Sequence, residues 1–162
     1  MRVIELLKRE SVNIIGFYCP EVREGGVRIG FKIIDISDGE EGWLAVAENR
    51  YTGACSKRVG RYCVVESDAS KLVNKLEKRF HENAVIAIDE VGPMELKIDS
   101  LRRFIEKSLS SNKPGLYVVH ERIVHDIAKR YGVEDVLRID ERNRGYIHEE
   151  IYRRIINIIA KK

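Results

Sequence analysis

The sequence predicts an α/β domain with a mainly parallel sheet and an antiparallel hairpin extension. Three observations carry this. From Ser67 onward, helical stripes alternate with short apolar runs, the order of a parallel sheet covered by helices on both faces. Between Gly25 and Ala47 the pattern is strict alternation broken by Gly25-Gly26 and Asp38-Gly39, the signature of hairpins. The apolar run Ala84–Ile88 ends abruptly in Asp89-Glu90, as when a buried parallel strand delivers acids to a sheet edge.

In chain order, Val3, Ile4, Leu6 and Leu7 share one face of a helix that begins without a capping residue. Asn13–Tyr18 is a short buried strand closed by Pro20. Val27, Ile29, Phe31 and Ile33 alternate with Arg28, Gly30 and Lys32, and Gly42–Ala47 forms a third strand. Residues 48–60 show no period and are expected as loop. Ser67 or Asp68 is expected to cap a helix carrying Leu72, Val73, Leu76 and Phe80. Val85–Ile88 is a strand, and Ser100 is expected to cap a helix with Leu101, Phe104, Ile105 and Leu109 inward. Leu116–Val119 is a strand ending at His120. Ile123, Val124, Ile127 and Tyr131 form a stripe closed by Gly132. Val136–Ile139 is the last predicted strand. A final helix carries Ile147, Ile151, Ile155, Ile158 and Ile159, with Glu149 and Glu150 at its start and Lys161 and Lys162 at its end.

All 162 residues read as a single domain: no repeat, low-complexity tract or linker divides them. Apolar content of 44% and charged content of 34% describe a globular chain, rich in isoleucine, lysine, arginine and glutamate as thermophile proteins are. A net charge of +3 does not demand a nucleic-acid partner. The three cysteines, Cys19, Cys55 and Cys63, have no metal-ligand spacing and are expected as reduced, mostly packed thiols of a cytoplasmic protein. No apolar run approaches the roughly 20 residues of a membrane span.

Asp89 and Glu90 are the leading chemical candidates. One carboxylate at a strand end can hold Mg²⁺ or its waters while a second polarises an attacking water. His120, ending the following strand, can reach a terminal phosphate, although a surface histidine or helix cap is the commoner explanation. Arg122 can add positive charge there. Arg142, Asn143 and Arg144 follow the last predicted strand and face the same edge. The glycines of Gly25–Lys32 lack a Lys-Ser/Thr ending and belong to a hairpin. No G-x-x-x-x-G-K-[ST] phosphate loop occurs in the sequence.

Several segments in order resemble the small P-loop nucleoside-triphosphatase family of thermophilic archaea and bacteria, to which the cancer-related nucleoside-triphosphatase of animals is related. They are Gly16-Phe17-Tyr18-Cys19-Pro20-Glu21-Val22-Arg23-Glu24-Gly25-Gly26, Arg28-Ile29-Gly30-Phe31-Lys32-Ile33, Val59-Gly60-Arg61-Tyr62, Asp89-Glu90-Val91-Gly92-Pro93-Met94-Glu95-Leu96, Val118-Val119-His120 and Asn143-Arg144. The likeness runs from about Val3 into the last helix. It implies a RecA-like sheet and Mg²⁺-dependent hydrolysis of nucleoside triphosphates to diphosphate and phosphate. Asp89 would serve the Mg²⁺, Glu90 would activate water, His120 would sense phosphate, and Asn143 and Arg144 would lie beside the nucleotide. Glu21 and Arg23 are expected to line the same cleft. Cys19 departs from the family's usual threonine, and the segment after Tyr62 differs by about a residue.

The resemblance also implies a strand and a glycine-rich phosphate loop ahead of the first helix, the strand lying centrally, between those ending at His120 and Ile139. Two explanations stand at this level: a sequence that starts inside a longer enzyme, or a non-hydrolysing nucleotide- or partner-binding paralogue. Either way these 162 residues are expected to hydrolyse poorly. A nucleic-acid module and a nucleotide kinase rank lower, for want of charge and of a second-substrate lid. An exposed sheet edge would permit a homo-oligomer.

Overall fold

The computed structural model describes residues 1–161; Lys162, expected at the end of the last helix, lies outside them. The chain runs α1 (Arg2–Arg9), β1 (Ile14–Tyr18), β2 (Glu21–Glu24), β3 (Val27–Asp35), β4 (Glu41–Ala47), a 3₁₀ turn at Glu48–Arg50, β5 (Arg58–Val59) and β6 (Tyr62–Val64). It continues with α2 (Glu66–Arg79), β7 (Val85–Val91), α3 (Pro93–Lys97), α4 (Asp99–Leu109), β8 (Gly115–Val119), α5 (Val124–Tyr131) and α6 (Ile147–Ala160). The strands form one sheet in the order β5-β6-β4-β3-β1-β7-β8, with β2 paired to β3.

The α/β class holds, but the sheet is mixed. β1–β7 and β7–β8 are the parallel pairs among the described residues, and β3, β4, β5 and β6 extend the sheet antiparallel from β1. Val136–Ile139 form no strand: β8 pairs only with β7, so these residues have no ladder to join, and Val136 and Ile139 are about half exposed. Residues 48–60 are not all loop. Gly60, at φ +58°, turns β5 onto β6, a strand pair too short to show a period.

Period-two alternation sorts the central strands between two cores. Ile15, Phe17, Ile86 and Ile88 pack with Leu72, Leu76, Leu101, Phe104 and Ile105 of α2 and α4. Ile14, Val85 and Ala87 pack with Val3, Ile4 and Leu7 of α1 and Ile155 of α6. Gly16 makes the β1–β7 contact possible: a Cβ there would lie 1.7 Å from the Ala87 carbonyl oxygen, at a φ of +153°. Gly25 and Gly26 both adopt positive φ and join β2 to β3.

The expected helix caps are otherwise used. α2 starts at Glu66, and Asp68 Oδ2 accepts the Trp43 N–H at 2.8 Å, tying the helix to β4. α4 starts at Asp99, and Ser100 Oγ instead meets Ser70 Oγ of α2 at 3.3 Å. Gly132 does close α5, in the left-handed conformation. The cysteines depart from expectation too. Cys55 and Cys63 form a disulfide, their Cα atoms 5.3 Å apart, because the loop after the 3₁₀ turn folds back so that Val64 N–H donates to the Lys57 carbonyl at 2.9 Å. Cys19 is a free, partly buried thiol. No described helix is long and apolar enough to cross a membrane.

Candidate active site

β7 brings its carboxylates to the sheet edge where β1 and β8 also end. Tyr18 pairs with Asp89, Asp89 with Val118, and the His120 N–H donates to the Val91 carbonyl at 3.0 Å. Asp89 follows Val85 and Ala87 in parity and so belongs to the α1 side of the sheet. The start of α1 faces it: the Met1 amino group draws its pKa down, although burial dominates and raises it. The Cys19 N–H donates to the Asp89 carbonyl at 2.7 Å, fixing the strand end, and burial pushes the Cys19 thiol up.

Glu90 and Asp89 are both half-buried, and neither side chain has an ion-pair partner among the described residues. Beyond them the chain turns at Gly92 into α3, where Pro93 at the first helical position suits the fixed φ of proline. Glu95, only 6% exposed, reaches back to accept the Gly92 N–H at 3.1 Å. A β-carbon on Gly92 would lie 2.8 Å from Glu95 Oε2 and 3.1 Å from Glu90 Oε1, so the two carboxylates flank the same backbone position. Burial pushes the Glu95 pKa up to about 7, with the Glu90 and Asp89 charges adding and the Gly92 N–H opposing. The sequence pattern alone assigns Glu95 no role. Its signal was an acid three residues after a Gly-Pro helix start, the spacing of a capping box.

His120 Nδ1 accepts the Arg122 N–H at 3.2 Å. In the neutral ring this leaves the proton on Nε2, free to donate. The Arg122 side chain is exposed. Asn143 is committed to its own loop: its Nδ2 donates to the Arg138 carbonyl at 2.8 Å and its Oδ1 accepts the Asp140 N–H at 2.9 Å. Arg144 is exposed on that loop, which touches the start of α1 through Arg2 Nη1 and the Gly145 carbonyl at 3.4 Å. The β7 edge, the start of α1 and the 140–146 loop are therefore neighbours. Glu21 and Arg23 stand on β2, engaged with each other at 2.5 Å, and Glu21 also with Arg28 at 2.5 Å.

Mg²⁺ prefers hard oxygen donors and keeps several waters. The half-buried carboxylates of Asp89 and Glu90, without ion-pair partners among the described residues, fit such an ion. No three His, Cys, Asp or Glu side chains among the described residues are grouped as a metal cluster.

An α/β sheet with paired acids at the parallel edge, beside a helix start, defines a nucleotide-hydrolase type of domain. The chain belongs to the NTPase family, whose model matches residues 1–152. It is 40% identical over 166 aligned residues to the nucleoside-triphosphatase THEP1 of Hyperthermus butylicus, covering 99% of this chain and 84% of that protein. To the THEP1 of Methanopyrus kandleri it is 32% identical, covering 100% of this chain and 89% of the other. The crystal structure of THEP1 from the hyperthermophile Aquifex aeolicus superposes with a TM-score of 0.72 at 24% identity, over 95% of this chain and 90% of that one. The solution structure of a human cancer-related nucleoside triphosphatase gives 0.73 at 25%, over 96% and 88%.

Proposed function

We propose that the protein hydrolyses nucleoside triphosphates to diphosphate and phosphate at the Asp89–Glu90 edge, with Mg²⁺ as cofactor. The observation that carries this is the pair of half-buried carboxylates, without ion-pair partners among the described residues, where β7 leaves the sheet beside the start of α1. Asp89 would hold the ion or its waters. Bound there, Mg²⁺ supplies neutralisation of the β- and γ-phosphate charge. Glu90 accepts a hydrogen bond from the attacking water and orients its lone pair toward the γ-phosphorus. The new bond forms from water oxygen to phosphorus as the bond to the β-phosphate oxygen breaks, and phosphate and the diphosphate leave. His120 Nε2–H donates to the γ-phosphate, and Arg122 adds positive charge.

Arg144 lies beside the nucleotide and Asn143 shapes its loop. Glu21 and Arg23 bound the cleft on the hairpin side. The N–H groups of the first turn of α1, left without partners inside the helix, add donors for phosphate oxygens at this edge. ATP binding with and without Mg²⁺ tests the metal role: Asp89→Asn should remove the Mg²⁺-dependent gain in affinity. An unchanged gain would take Asp89 out of the site.

A further inference from the structure

The β2–β3 hairpin, the end of β4 and the β5–β6 turn enclose a cleft of about 490 Å³, a volume suited to a small organic ligand. Its walls are two-sided in character. Val27, 60% exposed, and buried Ile29 supply apolar surface, and Arg28, Arg50 and Arg61 line the rest with Glu24 and Glu48. None of the carboxylates of the β7 edge lines it.

Its charges do not balance. Of the charged residues that line it, Arg28, Arg50 and Arg61 meet two carboxylates, Glu24 and Glu48. Arg50 is paired with Glu24 at 2.9 Å, and Arg58 with Glu48. Arg23 and Arg28 share Glu21. Arg61 has no carboxylate partner among the described residues: its Nη2 donates to the Arg28 carbonyl at 3.0 Å and its Nε to the Tyr62 hydroxyl at 3.2 Å. Arg28 keeps a buried Nε with no acceptor, although its guanidinium is held over the Phe31 ring at 5.4 Å.

Arg61, exposed and without a carboxylate partner among the described residues, is the group an incoming anion meets. Guanidinium groups match phosphate oxygens in geometry as well as charge. We propose that this cleft is a second ligand site, separate from the β7 edge, which takes a phosphomonoester of mononucleotide size. The phosphate sits between Arg28 and Arg61, and the organic part lies on Val27 and Ile29.

The test is a titration of the ¹⁵N-labelled protein with AMP at low ionic strength, reading the arginine Nε–H signals, with adenosine and inorganic phosphate as comparison probes. AMP should shift the Arg28 and Arg61 signals saturably. Adenosine should leave them in place, and phosphate should move them with weaker affinity. Arg61→Gln, at an exposed position, should weaken AMP binding about tenfold at these signals, and Arg50→Gln gives a second variant should that one fail to fold. AMP shifts confined to residues around Gly92 and His120 would overturn the proposal. So would an undiminished affinity in both variants, or phosphate binding as tight as AMP.

Discussion

The Gly92 N–H donates to Glu95 Oε2 at 3.1 Å, and this bond closes the turn by which β7 leaves the sheet. One orphan donor of a helix start is satisfied by a carboxylate that is itself nearly out of water. Glu90 lies against the same turn, so Glu95 helps fix its position.

Glu95 should give stability a distinct pH dependence. Its pKa of about 7 stands above the ordinary 4.5, so between those values the folded protein holds a proton that the unfolded chain has released. Stability attributable to Glu95 therefore falls as pH rises from about 4.5 to about 7 and is constant above, a loss of about 3 kcal/mol. Glu95→Gln keeps an acceptor for Gly92 without the charge. Denaturant unfolding of parent and variant should agree near pH 4.5 and diverge in the variant's favour by pH 8. A pH-independent difference would show that Glu95 is not the group responsible.

Gly16 sets the distance between β1 and β7. Gly16→Ala would place a methyl group 1.7 Å from the Ala87 oxygen, and relief requires parting the two central parallel strands. The cost should be about 3 kcal/mol or more. Gly26→Ala meets nothing within 4 Å and is strained only by its φ of +78°, so it should cost much less. Melting temperatures of the two variants decide this, and equal losses would contradict it.

The Cys55–Cys63 bridge closes a short loop at the far edge of the sheet. In the chain-entropy account it should contribute about 2.5 kcal/mol. Cys55→Ser with Cys63→Ser, or a thiol reductant, should lower unfolding stability by about that amount. Within the loop, Lys57 Nζ reaches Glu66 at 2.7 Å and the Lys97 carbonyl at 3.2 Å, so loosening should be felt at the start of α2 and the end of α3. Hydrogen exchange that changes nowhere but in residues 51–64 would contradict that extension.

Much of this was legible in the sequence because periodicity reports burial directly. The stripe of Leu72, Val73 and Leu76 and the short buried strand carrying Ile15 and Phe17 both became core in the expected sense. The Gly25-Gly26 turn followed from the positive φ that only such a pair adopts freely. What failed was whatever depends on a partner distant in sequence. Val136–Ile139 has strand composition but no neighbouring ladder. Asp68 and Ser100 have capping chemistry, yet Trp43 and Ser70 claim them across the fold. Cys55 and Cys63 meet because a loop folds back, which an odd cysteine count concealed. At the site, Asp89 and Glu90 stood out as acids ending an apolar run, whereas Glu95 is a lone acid between Met94 and Leu96 in a helix of one turn and shows its burial only once α3 is folded over the edge.

The most direct test of the catalytic reading is phosphate release from ATP under single-turnover conditions, with protein in excess and Mg²⁺ present, in the parent and in Glu90→Gln. ATP binding should be retained in the variant while phosphate release falls about a hundredfold or more. Equal release from the two proteins would contradict the assignment of Glu90 to the attacking water.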